Sequence, residues 1–204
     1  MKKYFKTILI ALVIGLISIV IGGYSAITSL RGAVKADGFL LENGCWHYNP
    51  KMDLNDNRER SLISLVALFA LRESEVIYFV GNQDTEGRPL NTKYNYEIIG
   101  TVPTARYWSY TLYGDDYFLV ANDSNKFGFN MESIEYMDSK NQESVSGVNK
   151  THRVMVSKEE AGKNWLPAGK KNQDFKITLR LYNPAEAVYT NLSNVELPQI
   201  RRIE

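Results

Sequence analysis

The chain is short of the residues that build most recognisable catalytic centres. It has one cysteine, Cys45, and two histidines, His47 and His152, among 204 residues. A single thiol excludes an internal disulfide framework and any cysteine-rich zinc site. Two imidazoles leave little for a histidine-based metal centre. Charge of one sign is also missing: 24 Lys+Arg stand against 23 Asp+Glu, whereas a dedicated nucleic-acid binder carries a basic excess. There is no G-x-S-x-G, H-E-x-x-H, C-x-x-C or glycine-rich phosphate loop, so neither a metal nor a cofactor is expected. An enzyme without a linear signature stays open, because tyrosines and acids act without one.

What the chain does have begins at its N-terminus. From Thr7 to Leu30 no residue is charged, and Ile, Leu and Val dominate Ile8 to Ile21. At ~1.5 Å per residue a helix of that length exceeds a hydrocarbon core of about 30 Å. In lipid only a helix satisfies every backbone group of a single span, despite the many β-branched residues. A cleaved signal peptide is the competing reading, with Gly23-Tyr24-Ser25 before Ala26 as a poor cleavage match. The longer uncharged run favours a retained anchor. Lys2, Lys3 and Lys6 precede the span, Arg31 and Lys35 follow it, and this margin favours an internal N-terminus. Removing the three leading lysines leaves a mildly acidic remainder.

The expected organisation is a basic flank at 1–6, an anchor at 7–30, a linker-like approach at 31–57 and a β-rich domain at 58–204. Asp56, with Glu59 three residues on, resembles a capping box. Leu62, Ile63, Leu65, Val66, Leu68, Phe69 and Leu71 then recur with helical spacing. After Glu75 the period becomes that of strands: Val76–Val80, Tyr94–Ile98, Arg106–Tyr113, Tyr117–Ala121, His152–Val156 and Phe175–Tyr182, with a short one near Ile134–Met137. Gly114-Asp115-Asp116 reads as a hairpin turn. The pattern predicts a mainly β fold, an antiparallel β-sandwich (jelly-roll-like) with one packed α-helix, behind a single N-terminal transmembrane helix.

Several strings resemble a known family. Ala105 to Asp123 (ARYWSYTLYGDDYFLVAND), Asn164 to Gly169 (NWLPAG), Phe175 to Pro184 (FKITLRLYNP) and the preceding stretch Arg60 to Leu90 are similar to the bacterial "domain of unknown function 1214" (DUF1214) family. Its small stand-alone members carry an N-terminal membrane span. The resemblance implies a β-rich sandwich, no agreed activity, and therefore no catalytic residue to carry over. With the span, it implies a single-pass protein of the bacterial inner membrane, its C-terminal domain in the periplasm.

The candidate sites follow from residue type and alternation. Cys45 and His47 share a face if extended, so a thiolate–imidazole pair is conceivable, with a partly buried free cysteine as the plain reading. His152 is expected at a strand edge. Asp115, Asp116 and Asp123 are close in sequence, but adjacent acids in a strand point oppositely, and a turn explains them. On Arg106–Tyr113, Trp108 and Tyr110 are expected in the core, while Tyr107 and Tyr113 face outward as a stacking platform. With Trp165 and the strand arginines Arg106 and Arg180 they make a candidate ligand site. Surface ion pairing is the plain alternative for the arginines.

The expected function is a ligand- or partner-binding module of the cell envelope, contacting a small ligand, glycan or envelope protein, and no nucleic acid. The alternatives are a hydrolase or lyase on a saccharide-like substrate, and a structural envelope protein. A deep pocket with convergent Arg, Tyr and Asp favours the enzyme; an aromatic surface over a solid core favours the module.

Overall fold

The structure, a computed structural model, describes residues 2–35, 41–48, 71–137 and 150–203. The chain divides into two compact units, one holding the N-terminal helix and the other the β-rich body. Helix α1 runs Lys2–Lys35. Within it Tyr4–Thr28 has a mean hydropathy of 2.5 and buries none of its window inside the protein. Ile, Leu and Val project on every side, so the segment is long and apolar enough to cross a membrane. The predicted helix at Asp56–Leu71 lies, up to residue 70, outside the described residues.

The β-rich body is a sandwich of two sheets. The larger takes β1 (Leu41–Asn43), β2 (Trp46–Tyr48), β3 (Val76–Gly81), β5 (Ala105–Gly114), β6 (Gly128–Asn130) and β9 (Phe175–Pro184). Their order is β1-β2-β3-β9-β5-β6, antiparallel throughout. The smaller sheet takes β4 (Asn95–Gly100), β7 (His152–Ser157), β8 (Trp165–Pro167) and β10 (Gln199–Ile203) in the order β10-β4-β7-β8. Its β7–β8 pair is parallel, which departs from the expected all-antiparallel arrangement. A single turn of helix, α2 (Glu186–Tyr189), follows β9.

Alternation explains the core. Trp108, Tyr110 and Leu112 of β5, Ile177, Leu179 and Leu181 of β9, and Ile77 and Phe79 of β3 point inward. Tyr96, Ile98, Val154, Val156, Leu166 and Ile200 meet them from the smaller sheet in one continuous cluster. Each fully buried aliphatic side chain contributes about 1.5–3 kcal/mol of transfer free energy.

Three expectations change here. The segment at 31–57 is more than a linker, because residues 41–48 form the β1–β2 hairpin and put Cys45, Trp46 and Tyr48 into the core. Gly44 takes φ 64° in its turn. The Trp46 indole donates to the Pro198 carbonyl at 2.6 Å, and Asn43 donates to Val195 at 2.7 Å, so long-range bonds hold what local sequence leaves undecided. The stretch Tyr117–Ala121 is not a strand. Tyr117 has φ 65°, and only Leu119 bridges back, to Tyr113. Near Ile134–Met137 only Tyr136 makes a bridge, to His152.

Candidate functional site

The outward face of β3, β9 and β5 carries a polar aromatic array. Register places Tyr78 opposite Arg180 and Arg180 opposite Ser109. Tyr182 lies opposite Tyr107, with Thr178 opposite Thr111 and Lys176 opposite Tyr113. Arg180 donates from Nη1 to the Thr111 hydroxyl at 2.8 Å and from Nη2 to the Tyr113 hydroxyl at 2.7 Å. Its guanidinium carbon stands 5.5 Å from the Tyr113 ring centroid and 5.8 Å from that of Tyr78, within cation–π range. One residue pair along, the Tyr107 and Tyr182 rings meet at 5.7 Å with a 54° tilt. Burial, then the nearby Glu132 and Tyr182, raise the Tyr107 phenol above its ordinary range, so it stays a neutral donor.

Arg180 therefore differs from the ion-paired arginine expected as the plain alternative. Among the described residues no carboxylate pairs with it. The nearest acid on this sheet end, Asp115, pairs instead with Lys176 at 3.3 Å. A guanidinium has five N–H donors, and the two used here are anchored by hydroxyls. None of its nitrogens is among the buried unpartnered atoms. The arrangement offers a fixed cation beside π-faces, suited to holding an anionic or polar ring rather than to moving protons.

Of the residues expected to form a ligand site, Tyr107, Tyr113 and Arg180 share this face. Arg106 does not, since it has the inward parity of Trp108 and emerges exposed at the end of β5. Trp165 belongs to β8 of the other sheet, where its indole donates to the Ser157 carbonyl at 3.1 Å and hydroxyl at 3.0 Å. Tyr78 and Tyr182 were missed. The alternation of their strands could have marked both as outward aromatics.

His152 is corrected most sharply. It is fully buried rather than at an edge, stacked on Trp108 at 5.4 Å and sharing a 2.9 Å hydrogen bond with the Tyr110 hydroxyl. Burial lowers its pKa to about 4, and the same burial raises Tyr110 well above its ordinary value. A neutral imidazole and a neutral phenol thus share one bond inside the sandwich.

The thiol of Cys45 is buried, and its nearest acceptor is the Pro198 carbonyl at 4.0 Å. Burial raises its pKa, the opposite of what a thiolate nucleophile needs. The His47 imidazole faces Glu42 at 3.7 Å. Asp116 caps its own turn by accepting from the Phe118 N–H at 3.1 Å. Asp123 pairs with Lys170. Among the described residues no three His, Cys, Asp or Glu side chains gather to hold a metal. An open groove of about 320 Å³ lies along β7, lined by Glu135, Met137, Arg153, Met155, Lys163 and others. Its charges are already paired, Lys163 with Glu135 at 2.7 Å and Arg153 with Glu97 at 3.1 Å.

The comparisons with known proteins bear on fold and family. A family model described as "Protein of unknown function (DUF1214)" matches residues 75–186. No curated protein matches the chain. The crystal structure of the VPA0106 protein from Vibrio parahaemolyticus is similar, with 20% identity and a TM-score of 0.56 over 74% of this chain and 36% of that one. An uncharacterized protein from Burkholderia cenocepacia superposes with 12% identity and a TM-score of 0.42 over 89% of this chain and 41% of that one. The chain thus spans well under half the length of either structure.

Proposed function

The chain belongs to the DUF1214 family of proteins of unknown function, and on that footing we propose that it is a membrane-anchored ligand-binding module of the bacterial cell envelope. In this reading α1 is retained in the inner membrane with its N-terminus in the cytoplasm, and the sandwich stands in the periplasm. The three lysines ahead of the span support that orientation.

One observation carries the binding reading: Arg180 is held by two hydroxyls next to the Tyr107–Tyr182 ring pair, on the outward face of a sheet whose inward face is packed. A hydrolase or lyase would need an acid or base beside the substrate. Among the described residues no carboxylate pairs with Arg180, and the histidine in the core has no route to this face through the packed interior.

Binding is tested on the full chain in detergent by thermal shift against saccharides, nucleotides, lipids and metal ions. A saccharide at ~100 times its Kd raises stability by about 2.7 kcal/mol, and Tyr107→Ala with Tyr182→Ala removes that rise. No shift with any class overturns the small-ligand reading and leaves a protein partner. Orientation is tested with a reporter fused after Glu204. Activity confined to a cytoplasm-requiring reporter overturns the periplasmic placement.

A further inference from the structure

Resting on that binding reading, the geometry points to the chemical class of the ligand: we propose that the face takes a sugar ring bearing a carboxylate, with the ring on Tyr107 and Tyr182 and the carboxylate on Arg180. The two halves of the site lie on adjacent same-face positions. Arg180 and Tyr182 are two residues apart on β9, so their backbones are ~7 Å apart along the strand. That is comparable to the reach of one six-membered ring and its exocyclic group. Tyr107 stands across from Tyr182 and Ser109 across from Arg180, so the same spacing repeats on β5.

Each half has its own chemical preference. The tilted ring pair presents flat apolar surface with hydroxyls at its rim, the pattern that receives the C–H face of a pyranose. The guanidinium is pinned by Thr111 and Tyr113 and keeps N–H groups in a planar fork, which matches a carboxylate. Because its partners are hydroxyls and not acids, an incoming carboxylate displaces no existing ion pair. A neutral sugar leaves that fork unused, and a small anion leaves the rings unused. The site therefore discriminates by requiring both.

The test uses the full chain in detergent, titrated by NMR or calorimetry with four probes: D-glucuronate, D-glucose, acetate and inorganic phosphate. Glucuronate is expected to bind about tenfold or more tighter than glucose, since a hydrogen bond to a charged group is worth about 1.5–3 kcal/mol. Arg180→Gln abolishes that preference and leaves glucose binding unchanged. Arg180→Lys keeps the charge without the fork and restores only part of it, which preserves the test if Arg180→Gln fails to fold. Tyr182→Ala weakens glucuronate but not acetate.

Equal affinities for glucuronate and glucose, with Arg180→Gln indifferent, overturn this proposal while leaving the binding reading standing. Acetate or phosphate binding as tightly as glucuronate likewise overturns it. Binding of none of the four probes overturns the proposal, and the binding reading falls with it only if the wider ligand panel is also silent.

Discussion

His152 has its imidazole wholly inside the sandwich, and that placement sets how the protein responds to acid. Its pKa is about 4 in the folded chain and about 6.5 when unfolded. Between those values the unfolded state binds a proton that the folded state refuses, so stability is complete above pH 6.5 and declines as pH falls toward 4. The difference is worth roughly 3 kcal/mol. Urea midpoints at pH 7.5 and 4.5 should differ accordingly, and coincident midpoints count against a buried neutral imidazole. Asp84 acts lower on the scale. Burial pushes its carboxyl up, but the Arg88 and Glu86 N–H groups and the Arg88 guanidinium outweigh this and lower it. Its contribution is therefore lost only as pH falls through that depressed value. Tyr110→Phe leaves the His152 Nε2 without a partner and should cost about 1–3 kcal/mol in chemical unfolding. The thiol of Cys45 should react slowly with Ellman's reagent in the native protein and rapidly in denaturant. Fast stoichiometric labelling of the native chain would contradict its burial.

At the scale of elements, the strands differ in what holds them. β5 and β9 pair along their length, from Ala105 opposite Pro184 to Gly114 opposite Phe175, and their alternation is plain in the sequence. Tyr107 and Tyr113 were legible as outward residues for that reason. β1, β2, β6 and β8 are each three residues long, too short for periodicity to distinguish them from loops. Contacts place them. A Cβ at Gly128 would run into the Tyr110 carbonyl, so only glycine lets β6 come alongside β5. Gly128→Ala should therefore destabilise by about 1–3 kcal/mol. Its midpoint in thermal unfolding checks this, and an unchanged value would mean β6 pairs elsewhere. The β1–β2 hairpin depends in the same way on the Trp46 bond to Pro198. Trp46→Phe keeps the ring and loses the donor, with an expected cost of about 1–3 kcal/mol.

For the whole molecule, the exposed apolar helix α1 decides where the chain resides. Tyr4–Thr28 carries Ile, Leu and Val around its full circumference, a surface that water does not tolerate and lipid does. The full chain should stay in the membrane fraction through alkaline carbonate washing and leave it only with detergent. Release by carbonate would remove the anchor reading, and an N-terminus starting near Ala26 in the mature protein would replace it with cleavage.

The sequence by itself determined the membrane-compatible helix, the β character of the rest, the inward and outward faces of its long strands, and the family. Those properties are local, written in charge-free length, period-two alternation and short strings. Only the tertiary structure decided that Arg180 lies opposite Ser109 and donates to Thr111 and Tyr113. It alone moved His152 from an expected edge into the core, and separated Arg106 and Trp165 from the aromatic face. The physical reason is that a strand's pattern fixes which side a residue takes, whereas its neighbours depend on strand order and register. These are set by non-local pairing and packing, such as the antiparallel match of β5 to β9 across some sixty intervening residues.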